Sequence, residues 1–541
     1  MGSGRGGCMY KHKVFLVVLS VLCSLLPSLL YSQVDTAWVR RYNGPSSDFD
    51  RAIAMVVDRQ GNVHVTGWSH SLISGIDYAT IKYNASGIQQ WVVRYDLANG
   101  TDYASALAVD DSGNVYVTGQ SWGSNGYYDY ATVKYNASGI QQWVATYNGP
   151  GNNEDVAYAI AVDDAENVYV TGVSYGLSSG YDFATIKYNS NGDIVWVRRY
   201  IANSDMWNNA IVVDDLGNVY VTGASYGLNT CFDYMTIKYN ESGAQQWVAI
   251  YNGPSNNCDR PTAMVVDGSG NVFVTGFSDT SYYYATIKYN SLGVEQWVAR
   301  YNGTGNSQDD ANAIAVDGQG NVYVTGSSIG SGTDYDYATI KYNSAGVQQW
   351  VQRYNGPGND DDHAYSLAVD GQGNAYVTGS SRNSSSSSDY ATIKYNSTGV
   401  EQWIQRYSGP GNYYNDAYFL VVDGQGNVYV TGASSGLGTD YDYATIKYVQ
   451  TSGLEENRHP LSANHILLEI YPNPAKTYFT FRIPQSADHS VVKIFDVNGN
   501  IVKSEELKGK NNRISLDGIK NGVYFVKVGD ELISKKLVVT K

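Results

Sequence analysis

The chain has 541 residues and a net charge of −15, with 49 Tyr and 57 Gly but only 7 His and 4 Cys. Both ends are basic, so the acid surplus falls on the middle, and an acidic body disfavours the phosphate contacts on which nucleic-acid binding rests. So few cysteines exclude a disulfide-dense scaffold or a zinc cluster, while the excess of Tyr, Val and Thr over a Gly, Asn and Ser background favours strands joined by turns.

At the N-terminus, Lys11 and Lys13 precede an apolar run from Val14 to Leu30, interrupted by Pro27, and Ser32 supplies the small residue that cleavage requires. Residues 1–32 are expected to be a signal peptide, leaving a mature form without a transmembrane anchor.

From there the chain is periodic. The phrase N-V-Y-V-T-G, or a near variant, begins at Asn62, Asn114, Asn167, Asn218, Asn271, Asn321, Asn374 and Asn427. A second phrase, Y-A-T-I-K-Y-N, follows each time, and a third carries Trp38, Trp91, Trp143, Trp196, Trp247, Trp297, Trp350 and Trp403. One period reads as four short strands: Ala104–Asp110 (a), Asn114–Gly119 (b), Tyr130–Asn136 (c) and Gln142–Tyr147 (d). Gly113 supplies the left-handed position of the a–b turn, and Asp110 can bond back to the backbone. Neither face of Val115–Thr118 is clearly wet, which fits a sheet held between two others, and a period of this length matches a propeller blade. The fold expected for residues 37–448 is all-β: an eight-bladed β-propeller of four-stranded antiparallel blades. The array opens with a lone Trp strand, Trp38–Tyr42, and ends at Tyr443–Tyr448 with no Trp strand after it. The entering strand should therefore pair beside Thr445–Tyr448 and complete the last blade, removing a free edge.

The D-x-x-G-N-V-Y-V-T-G and D-Y-A-T-I-K-Y-N phrases resemble the bacterial propeller repeats called SBBP repeats. That family label implies seven blades; the count here is eight.

Residues 449–465 read as a linker, and residues 466–541 as a further domain. Strand-like runs at Thr477–Ile483, Val491–Asp496, Asn500–Glu506, Asn512–Leu516, Gly522–Val528 and Leu532–Val539 make it a small C-terminal β-sandwich. This segment resembles the type A C-terminal sorting domain of the type IX secretion system of Bacteroidetes. The resemblance is carried by Pro472, Asn473 and Pro474, by the Ile494–Gly499 stretch ending in Gly499, by Gly522 and Tyr524, and by the basic pair Lys535-Lys536. It implies passage through the periplasm, engagement of the type IX machinery, and secretion or display on the outer surface, usually with removal of the domain.

In a four-stranded blade the b–c loops and d–a connections emerge together, opposite the a–b and c–d turns. The first set varies in length and content, and variable loops on a rigid scaffold are where binding usually resides. Three Trp outside the repeat phrase, Trp68, Trp122 and Trp207, map there as candidate binding residues for a glycan or protein ligand, or as caps on blade ends. Asp360, Asp361 and Asp362 form an acidic cluster on the same side: a weak candidate for calcium, against a solvated rim or acceptors of backbone N–H groups. Cys231 and Cys258 fall on this face in neighbouring connections and are expected to form a disulfide in an oxidising compartment, with free thiols as the alternative. No catalytic motif stands out, and no cofactor is expected. Three readings remain open: a secreted binding protein, a polysaccharide-acting enzyme with its site at the channel mouth, and an architectural surface protein.

Overall fold

The computed structural model describes residues 33–97, 99–204, 210–227, 231–278, 283–305, 307–383, 387–411, 413–451, 475–482, 491–496, 501–506, 511–528 and 534–540. The expected signal peptide, almost all of the linker, Trp207, Pro472, Asn473, Pro474 and Gly499 lie outside these residues. The chain divides into two compact units, 1–452 and 453–541.

The first unit contains eight four-stranded antiparallel sheets. The second blade is representative: Asp102–Val109 (a), Val115–Trp122 (b), Tyr128–Tyr135 (c) and Gln141–Tyr147 (d). Seven blades are built from consecutive strands. The eighth takes its fourth strand from the start of the chain: Gln33–Tyr42 runs antiparallel to Tyr441–Thr451, with Trp38 opposite Lys447 and Arg40 opposite Thr445. This is the closure expected from the incomplete ends of the array.

Each repeat phrase has a mechanical role. At the a–b turn, Gly113 adopts φ +79°. Asp110 Oδ1 accepts the N–H groups of Ser112 and Asn114, and its Oδ2 accepts the Asn114 amide and the Tyr116 hydroxyl at 2.8 Å. The Asp, Asn and Tyr of the D-x-x-G-N-V-Y phrase are thus one hydrogen-bonded unit. In the first blade His64 stands in for the Tyr and sits 3.1 Å from Asp58.

The Trp phrase works between blades. Trp91 donates its indole N–H to the Ala137 carbonyl in the next c–d turn. A Cβ at Gly139 in that turn would fall 2.9 Å from the Trp91 ring, so Gly is required by close approach as well as by its φ of +80°.

A third device lies deeper. The buried Tyr of strand c donates its hydroxyl to the Ala carbonyl of the next strand c: Tyr78 to Ala131, Tyr130 to Ala184, Tyr234 to Ala285, Tyr284 to Ala338, Tyr337 to Ala391, Tyr390 to Ala444 and, closing the circle, Tyr443 to Ala79. At the junction of blades 3 and 4, Phe183 has no hydroxyl and Met235 replaces the Ala; both are buried and pack within one apolar cluster.

The second unit pairs Tyr478–Arg482 with Asn511–Ser515. A four-stranded sheet is ordered Ile501–Glu506, Val491–Phe495, Gly522–Val528, Ser534–Val539. Phe479, Ile494, Ile514, Val526 and Leu537 belong to its single core. Gly522 opens the third strand of that sheet, and Tyr524 donates its hydroxyl to the Lys520 carbonyl at 3.0 Å.

Candidate functional site

At the end of the propeller where b–c loops and d–a connections emerge, the repeat acts as an internal control: what recurs in most blades is architecture, and what departs from it is a candidate for function. Two charged networks recur. The Asp that opens strand a accepts the N–H of a Gly in the preceding connection, as in Gly149 to Asp155 (2.6 Å), Gly253 to Asp259 (2.7 Å) and Gly303 to Asp309 (2.7 Å). Burial pushes the carboxyls of Asp155 and Asp309 up, and those of Asp50, Asp102 and Asp362 up to about 6. The second network is an arginine on strand d. Arg94 binds Asp77 at 2.8 Å and Ser69 at 2.6 Å in its own blade and the Tyr42 hydroxyl of the preceding one. Arg41, Arg199, Arg353 and Arg406 repeat the arrangement.

These networks account for much of the acid noted in the sequence. Asp360, Asp361 and Asp362 do not converge as one ligand set. Asp362 opens strand a of the seventh blade, is buried and accepts the Gly356 N–H. Asp360 and Asp361 stay in the preceding connection near Asp334, where Arg382 pairs with both, at 2.9 and 3.5 Å. Asp77, Asp96 and Asp102 form a second acidic group, with Asp77 already bound by Arg94. Cys231 and Cys258 are joined as a disulfide, with Cα atoms 4.6 Å apart.

The longest run of contacts outside these networks is aromatic. From the eighth blade to the second, ring follows ring: Tyr441 stacks on Phe49 (5.5 Å), Phe49 meets His70 (6.4 Å), His70 meets Trp68 (6.4 Å), Trp68 meets Tyr103 edge-on (5.8 Å), Tyr103 meets Tyr128 (6.2 Å), and Tyr128 meets Trp122 (5.0 Å). The structure therefore places Trp68 and Trp122 on one continuous path. Part of it is structural: the Trp122–Tyr128 pair has counterparts in Tyr175–Tyr181 and Tyr226–Phe232, which close the same loop in the next two blades. The links between blades are Tyr441–Phe49 and Trp68–Tyr103, and other rings on this side also meet across blade boundaries, Tyr335 with His363 and Tyr365 with Tyr418. Phe49 and Trp122 are each 41% exposed, whereas Trp68 is half-buried.

Beside Trp68, between blades 8 and 1, opens a cavity of about 350 Å³ lined by Phe49, Asp50, Arg51, Trp68, Asp416, Tyr418, Ala433 and Tyr441. Tyr418 reaches it through a β-bulge. Strand a of the eighth blade loses register between Ala417 and Phe419, so Tyr418 has no partner on strand b, and the extra residue re-aims its side chain. Tyr365 is the matching bulge residue of the seventh blade and lies 5.6 Å from the Tyr418 ring. Sequence reasoning missed Phe49, Arg51, Tyr418 and Tyr441. Arg51 shares its repeat column with Arg260, and Tyr418 shares its own with Tyr158 and Tyr365, so neither stood out as a departure, and nothing in the sequence showed that they meet.

Further inward, the Ser327 hydroxyl lies 2.9 Å from His363 Nδ1. Burial holds that imidazole below its ordinary range. Ser327 is itself buried, and among the described residues no carboxylate hydrogen-bonds the ring. Hollows of about 290 and 550 Å³ at the opposite end lie between a–b turns and are lined mostly by residues of the repeat phrases.

Comparisons with known proteins match the beta-propeller repeat family SBBP at residues 90–127, 195–229, 296–332 and 349–384. The secretion system C-terminal sorting domain matches at residues 469–540. Beta-agarase A of Zobellia galactanivorans is 37% identical over 70 residues, which is 13% of this chain and 13% of that protein, so the chain spans about an eighth of its relative's length. Among solved structures, PorZ, a surface component of the type IX secretion system of Porphyromonas gingivalis, is 14% identical over 90% of this chain and 75% of its own, with a TM-score of 0.33. A polysaccharide lyase is 12% identical over 73% and 89%, with a TM-score of 0.39. Among the described residues no helix is long and apolar enough to cross a membrane. The repeat in its blades and the sorting domain at its end make this chain an SBBP-repeat β-propeller protein of the type IX secretion route, destined for secretion or the outer cell surface.

Proposed function

We propose that the mature protein binds a glycan chain along the aromatic path on its b–c loop face. The observation that carries this reading is the continuity of the path across blade boundaries: seven rings from Tyr441 to Trp122, joined across two junctions. Sugar rings present apolar C–H faces to an aromatic face and hydroxyls to polar neighbours, and sites that combine a few aromatics with a few polar groups suit such ligands. The rings follow one another by pairwise contact with Asp50, Arg51 and Asp416 beside them, which fits an extended chain better than the contiguous apolar core of a protein interface.

The test is a titration of the mature protein against neutral and acidic oligosaccharides. Trp68→Ala and Trp122→Ala should each weaken binding about 10- to 30-fold, the range for losing a central aromatic contact. Trp207→Ala belongs in the same set. Affinity unchanged in all three variants would remove the glycan reading. Turnover of a bound polysaccharide that Ser327→Ala abolishes would favour an enzyme instead.

A further inference from the structure

Arg51 is the second residue of strand a in the first blade, directly opposite Trp68 in the sheet. Its guanidinium lies 4.2 Å over the Tyr418 ring and lines the cavity between blades 8 and 1. It differs from the strand-d arginines. Arg94 is held by Asp77, Ser69 and Tyr42. Arg51 makes no ion pair and donates no hydrogen bond among the described residues, and its Nε is buried without a partner.

Neither carboxylate that lines the cavity, Asp50 or Asp416, forms an ion pair with Arg51, and Asp50 Oδ1 is itself buried without a partner. Asp50 accepts the Gly44 N–H. Asp416 accepts the Ser388 hydroxyl at 3.2 Å and the Tyr418 hydroxyl at 3.3 Å. Tyr418 thus contacts both charges, with its ring under Arg51 and its hydroxyl on Asp416. A guanidinium carries five N–H donors and no acceptor, and a partly buried donor set without acceptors is costly. The guanidinium therefore faces the cavity over an aromatic ring with no acceptor within bonding distance among the described residues. Carboxylate and sulfate oxygens fit that role, because the planar fork of arginine binds them in pairs.

We infer that Arg51 is a specificity residue which selects, on this aromatic face, glycans bearing an oxyanion: the carboxylate of a uronic acid or a sulfate ester. The inference rests on the glycan reading above and deepens it.

The experiment uses the mature protein with three oligosaccharides of equal length, one uronic-acid-based, one sulfated and one neutral, and reads the ratio of acidic to neutral affinity. The unsubstituted protein should prefer at least one acidic ligand by tenfold or more, and which one distinguishes carboxylate from sulfate. Arg51→Gln, which keeps a stem over Tyr418, should bring the ratio to within about twofold of one; Arg51→Lys should restore it only in part. Trp68→Ala should weaken acidic and neutral ligands together and leave the ratio standing. Equal affinity for all three ligands, or a ratio untouched in Arg51→Gln, overturns the inference. Inorganic sulfate, followed by Trp fluorescence, separates the two readings. Saturable sulfate binding that Arg51→Gln abolishes, with no oligosaccharide bound, would sink the glycan platform and uphold the anion site. Failure of both sugar and sulfate to bind would end both.

Discussion

The Asp that opens strand a illustrates how single residues are constrained here. Its carboxylate caps a backbone N–H in a buried place, and burial raises Asp362 to about 6. The eighth blade offers a natural comparison: Asn415 occupies the same position and accepts the Gly409 N–H at 3.0 Å through its amide oxygen. Asp362→Asn should therefore keep the cap and remove the cost of ionisation. A carboxyl whose folded pKa lies above its unfolded value contributes stability that is complete below about pH 4 and is lost as pH rises through the folded pKa. The variant should match the parent at pH 4 and exceed it by about 1–3 kcal/mol at pH 8. Denaturant midpoints at the two pH values check this, and a gain of equal size at both would refute the assignment. The same residue shows why the acidic cluster misleads on the page: the strand begins at Asp362, which is buried and caps the Gly356 N–H, while Asp361 stays in the connection beside Arg382.

Among strands, the Tyr-to-Ala hydrogen bond is the recurring contact between neighbouring blades, and a residue carries it without touching any ligand. Tyr337→Phe removes one buried hydrogen bond and leaves the ring in place, so it should cost about 1 kcal/mol, with the Ala391 carbonyl left short of a donor. Tyr337→Ala opens a cavity as well and should cost about 3–5 kcal/mol. The difference between the two variants in urea unfolding separates the hydroxyl from the packing. Phe183 and Met235 show that one junction does without this bond when apolar side chains fill the space. Strand a is the other informative element. Its bulge recurs between Ala52 and Ala54, Ala104 and Ala106, and Ala364 and Ser366. The extra residue is free to vary because it has no partner on strand b. That freedom admits the large side chains of Tyr365 and Tyr418, whose rings lie 5.6 Å apart.

For the propeller as a whole, closure depends on ten residues far away in sequence. Gln33–Tyr42 supplies the outer strand of the eighth blade, and Arg41 ties it to Asp442 and Ser434. Deleting residues 33–42 should leave a three-stranded blade with an exposed edge, which is a template for association. Size-exclusion chromatography should show oligomers and thermal unfolding should broaden; a synthetic peptide of residues 33–43 should reverse both. A monomeric deletion variant with an unchanged melting curve would show that the entering strand is dispensable. The seam leaves one further trace. Trp403 would bond a c–d turn in the eighth blade, but the chain exits there instead, and its indole N–H has no partner among the described residues.

The sequence alone determined the blade. Hydrogen bonds within the Asp110–Tyr116 unit, the turn glycines and the strand alternation are local, so each period announces its four strands, and eight periods with incomplete ends announce a closed ring. Trp68 and Trp122 were also legible, because each departs from its repeat. The company they keep was decided only by the tertiary structure. Phe49, Arg51, Tyr418 and Tyr441 meet where the last blade is sewn to the first, between segments separated by more than three hundred residues of chain. Closure and the bulge belong to the repeat, but which side chains they bring together at the seam depends on residues distant in the chain, and the neighbouring sequence carries no record of that.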